Sequence, residues 1–250
     1  MFYILRMSIS GVPVSRGASL AGRLTFDETR AVSADAPLTE IAPAAPGDEA
    51  PALGFALAWA QGASKDGLLF WAAPAASFAE NGAPHAEGLA QFGVPLDRLL
   101  LTRAKTQVDA LWAVEQALAI PNACVICTIA PAAKPLSLTA TRRLLLLAEK
   151  NRARCILLRL DSMGASAAWT RWRISSAPSL GIAREIGAPA FRAHLVRNRA
   201  GQAGASWHLE WNAHEHAFIA AERAQKHTVD GAVAAPSADR AADARWRRAS

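Results

Sequence analysis

The sequence is poor in features that would cross-link a chain or anchor it in a membrane. Its 250 residues include three cysteines, which excludes a scaffold held by several disulfides. No apolar run is long enough to cross a bilayer, and the first residues lack the apolar core of a signal peptide. These absences predict a cytoplasmic protein without membrane contact, in which Cys124, Cys127 and Cys155 are reduced and buried.

The sequence also lacks complete metal-binding and nucleophile motifs. Cys124 and Cys127 have the spacing of a redox or zinc pair, but they lie in a β-strand pattern that points their side chains to opposite faces. No second cysteine pair follows, and the four histidines between residues 194 and 216 have no Asp or Cys partners nearby in sequence. A Gly-x-Ser-x-Gly motif is absent as well. We therefore expect neither a metal nor a nucleophilic catalytic centre.

Acidic residues are scarce between residues 140 and 200. This segment holds twelve basic and three acidic side chains, whereas the rest of the chain is net acidic by three. Most of the basic residues are arginines, whose guanidinium groups pair with phosphates and carboxylates and stack on aromatic rings. The pattern indicates an anionic partner, either nucleic acid or an acidic protein surface, and the alternative is a solvated Arg-rich surface. The candidate contact residues are Arg142, Arg143, Trp169, Arg171, Trp172, Arg173, Arg197 and Arg199.

Apolar runs predict alternating strands and helices in the first two thirds of the chain. The predicted strands are 38–41, 67–72, 98–101, 123–129 and 155–160, and the predicted helices are 52–60, 84–92, 106–119 and 137–151. This alternation is typical of an α/β fold with a mostly parallel sheet flanked by helices. Trp112, on the helix at 106–119, is expected to pack in the core on one face with Val108, Leu111 and Leu118.

The last third of the chain has a different pattern. Strands are predicted at 171–175, 191–198 and 206–211 without intervening helices, and a glycine-bearing hairpin joins the last two. They predict an antiparallel C-terminal extension of the sheet, with His194 and His208 as cross-strand neighbours. We divide the chain into an N-terminal extension (1–36), an α/β core (37–220) and an Ala/Arg-rich tail (221–250). The tail lacks apolar periodicity and is predicted to be disordered.

The loop between the first core strand and its helix has the layout of a phosphate-binding loop but not its residues. Such a loop needs several glycines, then Lys and Ser or Thr at the helix start. After Pro43 this chain offers only Gly47, and Asp48 and Glu49 replace the Lys-Thr pair. Both carboxylates suit the positive end of a helix dipole and would repel a triphosphate. The strands at 67–72 and 123–129 also lack acids to activate water or hold Mg²⁺. We expect no cofactor and no enzymatic activity.

Residues 38–212 resemble the ImuA family of RecA-like proteins, which are associated with SOS mutagenesis and translesion synthesis in bacteria. The segments that carry the resemblance are Leu38–Ile41, Ala110–Leu118, Thr141–Glu149, Arg171–Ser179, Leu195–Gly201 and Trp207–Trp211. Asp48 and Glu49 depart from the more glycine-rich loop of many such sequences.

The resemblance implies a degenerate RecA-like core that acts through partners. The implied partners are an ImuB-like Y-family adaptor and an error-prone replicative-type polymerase subunit, with RecA or DNA as further candidates. Two alternatives stay open. One is a SulA-like cell-division inhibitor acting in the SOS response, because SulA proteins share the RecA-like core. The other is a RecA-type DNA-binding ATPase, for which the loop supplies no Lys.

Overall fold

The computed structural model describes residues 3–6, 23–25, 31–33, 36–63, 67–131, 136–161, 163–179, 187–201 and 203–220. The strands are β1 (Tyr3–Arg6), β2 (Arg23–Thr25), β3 (Ala31–Ser33), β4 (Leu38–Pro43), β5 (Leu69–Pro74), β6 (Leu99–Ala104), β7 (Cys124–Ile129), β8 (Arg154–Arg159), β9 (Thr170–Ser176), β10 (Ala190–Asn198), β11 (Ser206–Asn212) and β12 (Ala217–Ala220). The helices are α1 (Glu49–Ala63), α2 (Ala75–Asn81), α3 (Ala86–Gln91), α4 (Gln107–Ala117) and α5 (Leu138–Asn151), with a 3-10 turn at Leu96–Arg98. The predicted disordered tail at 221–250 lies outside the described residues.

A ten-stranded sheet runs through the fold in the order β1-β6-β5-β7-β8-β4-β9-β10-β11-β12, and β2 and β3 form a separate pair. The six strands from β6 to β9 in this order pair in parallel. The outer strands β1, β10, β11 and β12 pair antiparallel. The predicted fold class is therefore confirmed, and the parallel part of the sheet extends one strand further than expected because β9 lies parallel beside β4.

Helix α1 is buried on nearly all sides because its sequence carries almost no polar residues. Phe55 and Trp59 pack against Trp172 of β9 with ring centroids 5.6 and 5.2 Å apart. These rings belong to the larger of two cores, on the face of the sheet covered by α1 and α3. The predicted buried helix is thus confirmed, and its packing fixes the position of the loop that precedes it.

Helix α4 buries a face that overlaps only in part with the predicted one, since Leu118 is fully buried and Leu111 packs against the same core. It begins at a capping box, in which the Thr106 hydroxyl accepts from the Asp109 backbone N–H and the Asp109 carboxylate accepts from the Thr106 N–H. The helix turns Val114 and three alanines (Ala110, Ala113 and Ala117) toward the sheet. The prediction that Trp112 is a core residue is wrong, because its side chain is 54% exposed and that of Val108 is 74% exposed. Small alanine side chains let the helix lie close to the sheet and direct the larger residues outward.

The three cysteines are free and buried, as predicted. Cys124 lies in the core under α1, whereas Cys127 lies in the second core under α4 and α5, so the pair does point to opposite faces. Burial raises the pKa of each of these two thiols to about 12. None of the described helices is both long enough and apolar enough to span a bilayer.

Candidate functional site

The candidate site is the loop of residues 44–48, between the end of β4 and the start of α1. Its first residue is tied to the neighbouring strand β9, since the Ala44 N–H donates to the Ile174 carbonyl at 2.8 Å. Gly47 adopts φ +96°, a backbone region that side chains disfavour. The loop therefore makes a tight turn at the carboxyl edge of the parallel strands, where ligands bind in open α/β sheets.

The two carboxylates of the loop accept hydrogen bonds from backbone N–H groups around it. One oxygen of Asp48 accepts from the Ala45 N–H at 3.1 Å, and the other accepts from the Ser176 N–H at 3.2 Å. A Glu49 oxygen accepts from the Gly47 N–H at 2.9 Å. In a phosphate-binding loop, backbone N–H groups face the phosphate. Here the loop's own carboxylates use these donors and place two negative charges beside them.

The end of β7, which lies two strands from β4 in the sheet, carries neutral side chains. Near the end of β7, the Thr128 hydroxyl accepts from the Trp71 indole N–H at 3.0 Å. The Gln107 amide nitrogen donates to the Thr128 carbonyl, and its oxygen accepts from the Ala130 N–H at 2.9 Å. Across the described ranges, no three His, Cys, Asp or Glu side chains converge as metal ligands. This part of the edge is thus closed by neutral hydrogen bonds.

A buried ionic network lies across the strands next to the loop, and sequence reasoning missed it. Glu40 on β4 accepts from Arg159 on one oxygen and from Arg171 on the other, both at 2.7 Å. Arg159 also donates two hydrogen bonds to Asp161, at 2.6 and 2.9 Å. The side chains of Glu40 and Arg159 are fully buried. A charged residue inside an otherwise apolar strand was the available signal, because a buried charge needs a partner.

The charge of Arg159 is held by its partners. Burial alone would lower its pKa, but the hydrogen bond and charge of Asp161 and the charge of Glu40 outweigh that effect and raise it. Arg171, which joins the same network, donates a further hydrogen bond to the Gly164 carbonyl at 2.9 Å. The network thereby connects β4, β8 and β9 on the face opposite to α1.

Several of the candidate contact residues are engaged inside the fold. Arg171 belongs to the ionic network, Arg173 donates to the Pro43 carbonyl at 2.9 Å, and Arg197 donates to the Ser166 carbonyl at 3.0 Å. Trp169 is partly buried and packs against the core under α4 and α5. Trp172 is fully buried, so the structure corrects its assignment as a partner contact.

The other candidate contacts lie on two separate surfaces. Arg142 and Arg143 are exposed on α5, and Arg143 forms an ion pair with Glu115 of α4 at 2.6 Å. Arg199 is exposed at the turn after β10. The structure therefore divides the predicted basic segment between a helical face and the edge of the antiparallel extension.

The two histidines of the β10–β11 hairpin are diagonal cross-strand neighbours, offset by two residues from a directly opposite pair. His194 faces Ser206, and His208 faces Arg192. The His194 ring lies 2.8 Å from the Ser206 hydroxyl, and the His208 ring lies 2.8 Å from the Pro178 carbonyl oxygen. Each ring is thus held by a different neighbour.

No protein-family model matches the chain. Two proteins named ImuA, from Caulobacter vibrioides strains NA1000 / CB15N and ATCC 19089 / CIP 103742 / CB 15, are each 33% identical to it over 159 residues. The resemblance to ImuA is confirmed. The match covers 58% of this chain and 61% of each relative, so the chain spans about three fifths of the length of these ImuA proteins.

A solved recombinase structure shares the fold. The crystal structure of the RadB recombinase aligns with a TM-score of 0.50 over 72% of this chain and 89% of RadB, at 14% identity. That likeness shows the RecA-like arrangement of the sheet. SulA from Pseudomonas aeruginosa aligns with a TM-score of 0.37 over 50% of this chain and 98% of SulA, at 22% identity.

Proposed function

We propose that this protein is a non-catalytic RecA-like accessory protein of SOS-induced translesion DNA synthesis. It docks an ImuB-like adaptor and an error-prone polymerase subunit, and RecA or DNA are further candidate partners. The similarity to ImuA supports the role in mutagenesis. The single observation that carries the non-catalytic part is the loop whose N–H groups are bonded to Asp48 and Glu49.

A nucleotide phosphate would meet an electrostatic penalty at this loop. Its oxygens would have to displace two carboxylates from the Ala45 and Gly47 N–H groups. Each pair of like charges about 4 Å apart costs roughly 1 kcal/mol in water and roughly 4 kcal/mol at the effective dielectric near a protein surface. No Lys lies at the start of α1 to offset this repulsion.

Titration with Mg-ATP tests the non-catalytic assignment. We expect no binding heat up to about 1 mM ATP, which corresponds to a binding free energy weaker than about 4 kcal/mol. Sub-millimolar binding that is changed by Asp48→Ala, but not by the matched substitution Asp97→Ala on the exposed 3-10 turn, would contradict the assignment. DNA-stimulated ATP hydrolysis would favour the recombinase alternative.

Affinity purification from DNA-damaged and undamaged cells tests the docking role. We expect the tagged full chain to recover the adaptor and the error-prone polymerase subunit from damaged cells. The matched control is another protein with a RecA-like core that bears the same tag. Failure to recover either partner, with the bait folded and expressed, would contradict the proposed role.

DNA contact is a second candidate, supported by the exposed guanidinium groups of Arg192 and Arg199 at the antiparallel end of the sheet. If these groups contact phosphates, affinity for DNA falls steeply with salt, and each Arg→Gln change lowers the slope by about one. Arg173→Gln is the matched control, because its guanidinium donates to the Pro43 carbonyl. Absent or salt-independent binding would leave the protein-docking role alone.

A further inference from the structure

The outer side of α5 carries an exposed stripe of apolar and charged side chains. Leu138 and Leu146 are 51% and 55% exposed, and Arg142 and Glu149 are exposed as well. Residues three, four or seven positions apart fall on the same side of a helix, so these four side chains share one face of α5. We call Leu138, Arg142, Leu146 and Glu149 the α5 stripe.

The α5 stripe lies on a different side of the helix from the core and from the contact with α4. The buried residues of α5 are Thr141, Leu144, Leu145 and Ala148. Arg143, which reaches Glu115 of α4 at 2.6 Å, lies about 100° around the helix from Arg142. The fold itself therefore leaves the α5 stripe open to a further protein surface.

The charges of the α5 stripe restrict what can cover it. The stripe holds one positive and one negative side chain, so neither a uniformly acidic nor a uniformly basic partner complements it. Glu149 would repel a phosphate backbone. The fitting surface presents a negative and a positive charge about 10 Å apart along a helix, which is the spacing of two turns, with an apolar side chain between them. A second copy of α5 in the antiparallel direction has these features.

The positions of the four side chains match in an antiparallel pair of α5 helices. The midpoint between Arg142 and Glu149 falls between Leu145 and Leu146 in the sequence. With a two-fold axis through this midpoint, Arg142 of each copy faces Glu149 of the other, and the two Leu146 side chains meet near the centre. Two reciprocal ion pairs then flank an apolar contact, as in self-complementary helix pairs.

We propose that the α5 stripe is the interface of a symmetric dimer of this chain. Such an interface uses the same surface on both copies and closes after two, so it gives a dimer and not a filament. Because the stripe offers only two large apolar side chains per copy, the contact is smaller than a standard interface, and we expect a dissociation constant on the order of 100 µM. At the low-micromolar concentrations of an unfolding experiment, the chain is then monomeric.

Sedimentation velocity of the full chain between about 5 and about 500 µM spans this dissociation constant and measures the fraction of dimer. We expect a reversible shift from monomer to dimer over this range. Leu146→Ala should raise the dissociation constant at least about tenfold, because it removes the central apolar contact from both copies at once. The side chain is exposed in the monomer, so circular dichroism should show an unchanged fold.

Charge reversal tests the pairing of Arg142 with Glu149 directly. Arg142→Glu and Glu149→Arg each place like charges at both ion pairs, so each variant alone should dimerise at least about tenfold more weakly than the wild type. An equimolar mixture of the two variants should form a mixed dimer, because both of its ion pairs again join opposite charges. This recovery on mixing requires contact between Arg142 of one copy and Glu149 of the other.

Lys105→Glu is the matched control, because Lys105 is an exposed cation at the end of β6, and β5 and β7 separate β6 from the strand that follows α5. It should dimerise like the wild type. Equal weakening by Lys105→Glu, a mixture of the two charge variants that stays monomeric, or a monomeric wild type at about 500 µM would each overturn the proposal. Growth of the wild type beyond a dimer would overturn the two-fold arrangement.

Discussion

Glu40→Gln removes one charge from the buried network while nearly preserving the shape of the side chain. The carboxylate of Glu40 accepts from Arg159 and from Arg171, both at 2.7 Å. In the variant, one carboxylate oxygen becomes an NH₂ group that faces a guanidinium donor. Loss of one partner of a buried ion pair costs about 3–5 kcal/mol, because the other charge stays buried without compensation.

The structure places the expected cost at the lower end of this range. Arg159 keeps two hydrogen bonds to Asp161, and Arg171 keeps one to the Gly164 carbonyl and is 14% exposed, so it retains some access to water. We therefore expect the free energy of unfolding to fall by about 3 kcal/mol and the melting temperature to fall by about 6–12 °C for a chain of this size.

Urea unfolding followed by circular dichroism measures this change. Glu149→Gln, at an exposed position on α5, is the control and should stay within about 0.5 kcal/mol of the wild type. A loss below about 1 kcal/mol for Glu40→Gln, with an unchanged m-value, would refute the reasoning that the network depends on this charge.

Three further outcomes follow from the structure. Trp172→Ala should lower the free energy of unfolding by about 3–5 kcal/mol, whereas Trp112→Ala should change it by less than about 0.5 kcal/mol. Urea unfolding measures both changes, and equal effects of the two substitutions would contradict the packing of β9 and α4. Thr106→Ala removes the capping hydroxyl of α4 and should cost about 1 kcal/mol by thermal unfolding, and a neutral result would contradict the capping box. Cys124 and Cys127, whose pKa rises from 9.0 to about 12 on burial, stay protonated in the folded state while the unfolded chain ionises. Stability should therefore fall as pH rises from about 9 toward 12, by up to about 1.4 kcal/mol per pH unit for each thiol. Urea unfolding at several pH values measures this pH dependence of stability. A slope of stability against pH that is the same in Cys124→Ala and Cys127→Ala as in the wild type would contradict the contribution of the two buried thiols.

Folding reduces the number of arginines of the basic segment that can contact a partner. Arg159 and Arg171 balance buried carboxylates, and Arg173 and Arg197 donate to backbone carbonyls. These four guanidinium groups tie strands and loops together rather than form a continuous basic surface. The charges available to a partner are therefore fewer than the sequence count indicates, and they lie on two surfaces.

The sheet was predictable because its signal is local. Strands buried on both faces need continuous apolar runs, and the helices between them need longer ones, so the alternation from β4 to β8 is visible in the sequence. The loop after β4 was predictable for a similar reason, since the absence of Lys and the presence of Asp48 and Glu49 can be observed directly. The short helix α2 and the strand β12 were missed, because their few residues carry little periodicity.

The α/β alternation, the burial of the cysteines and the acidic character of the loop can be predicted from the amino-acid sequence, because each depends on residue type at neighbouring positions. The buried face of α4 depends on packing in three dimensions, because an alanine stripe and a larger apolar stripe compete and the distance to the sheet selects between them. The tertiary structure also paired Glu40 with Arg159, residues 119 positions apart, and turned the carboxylates of Asp48 and Glu49 onto backbone N–H groups. Long-range distances of this kind arise from packing and leave no local pattern in the chain.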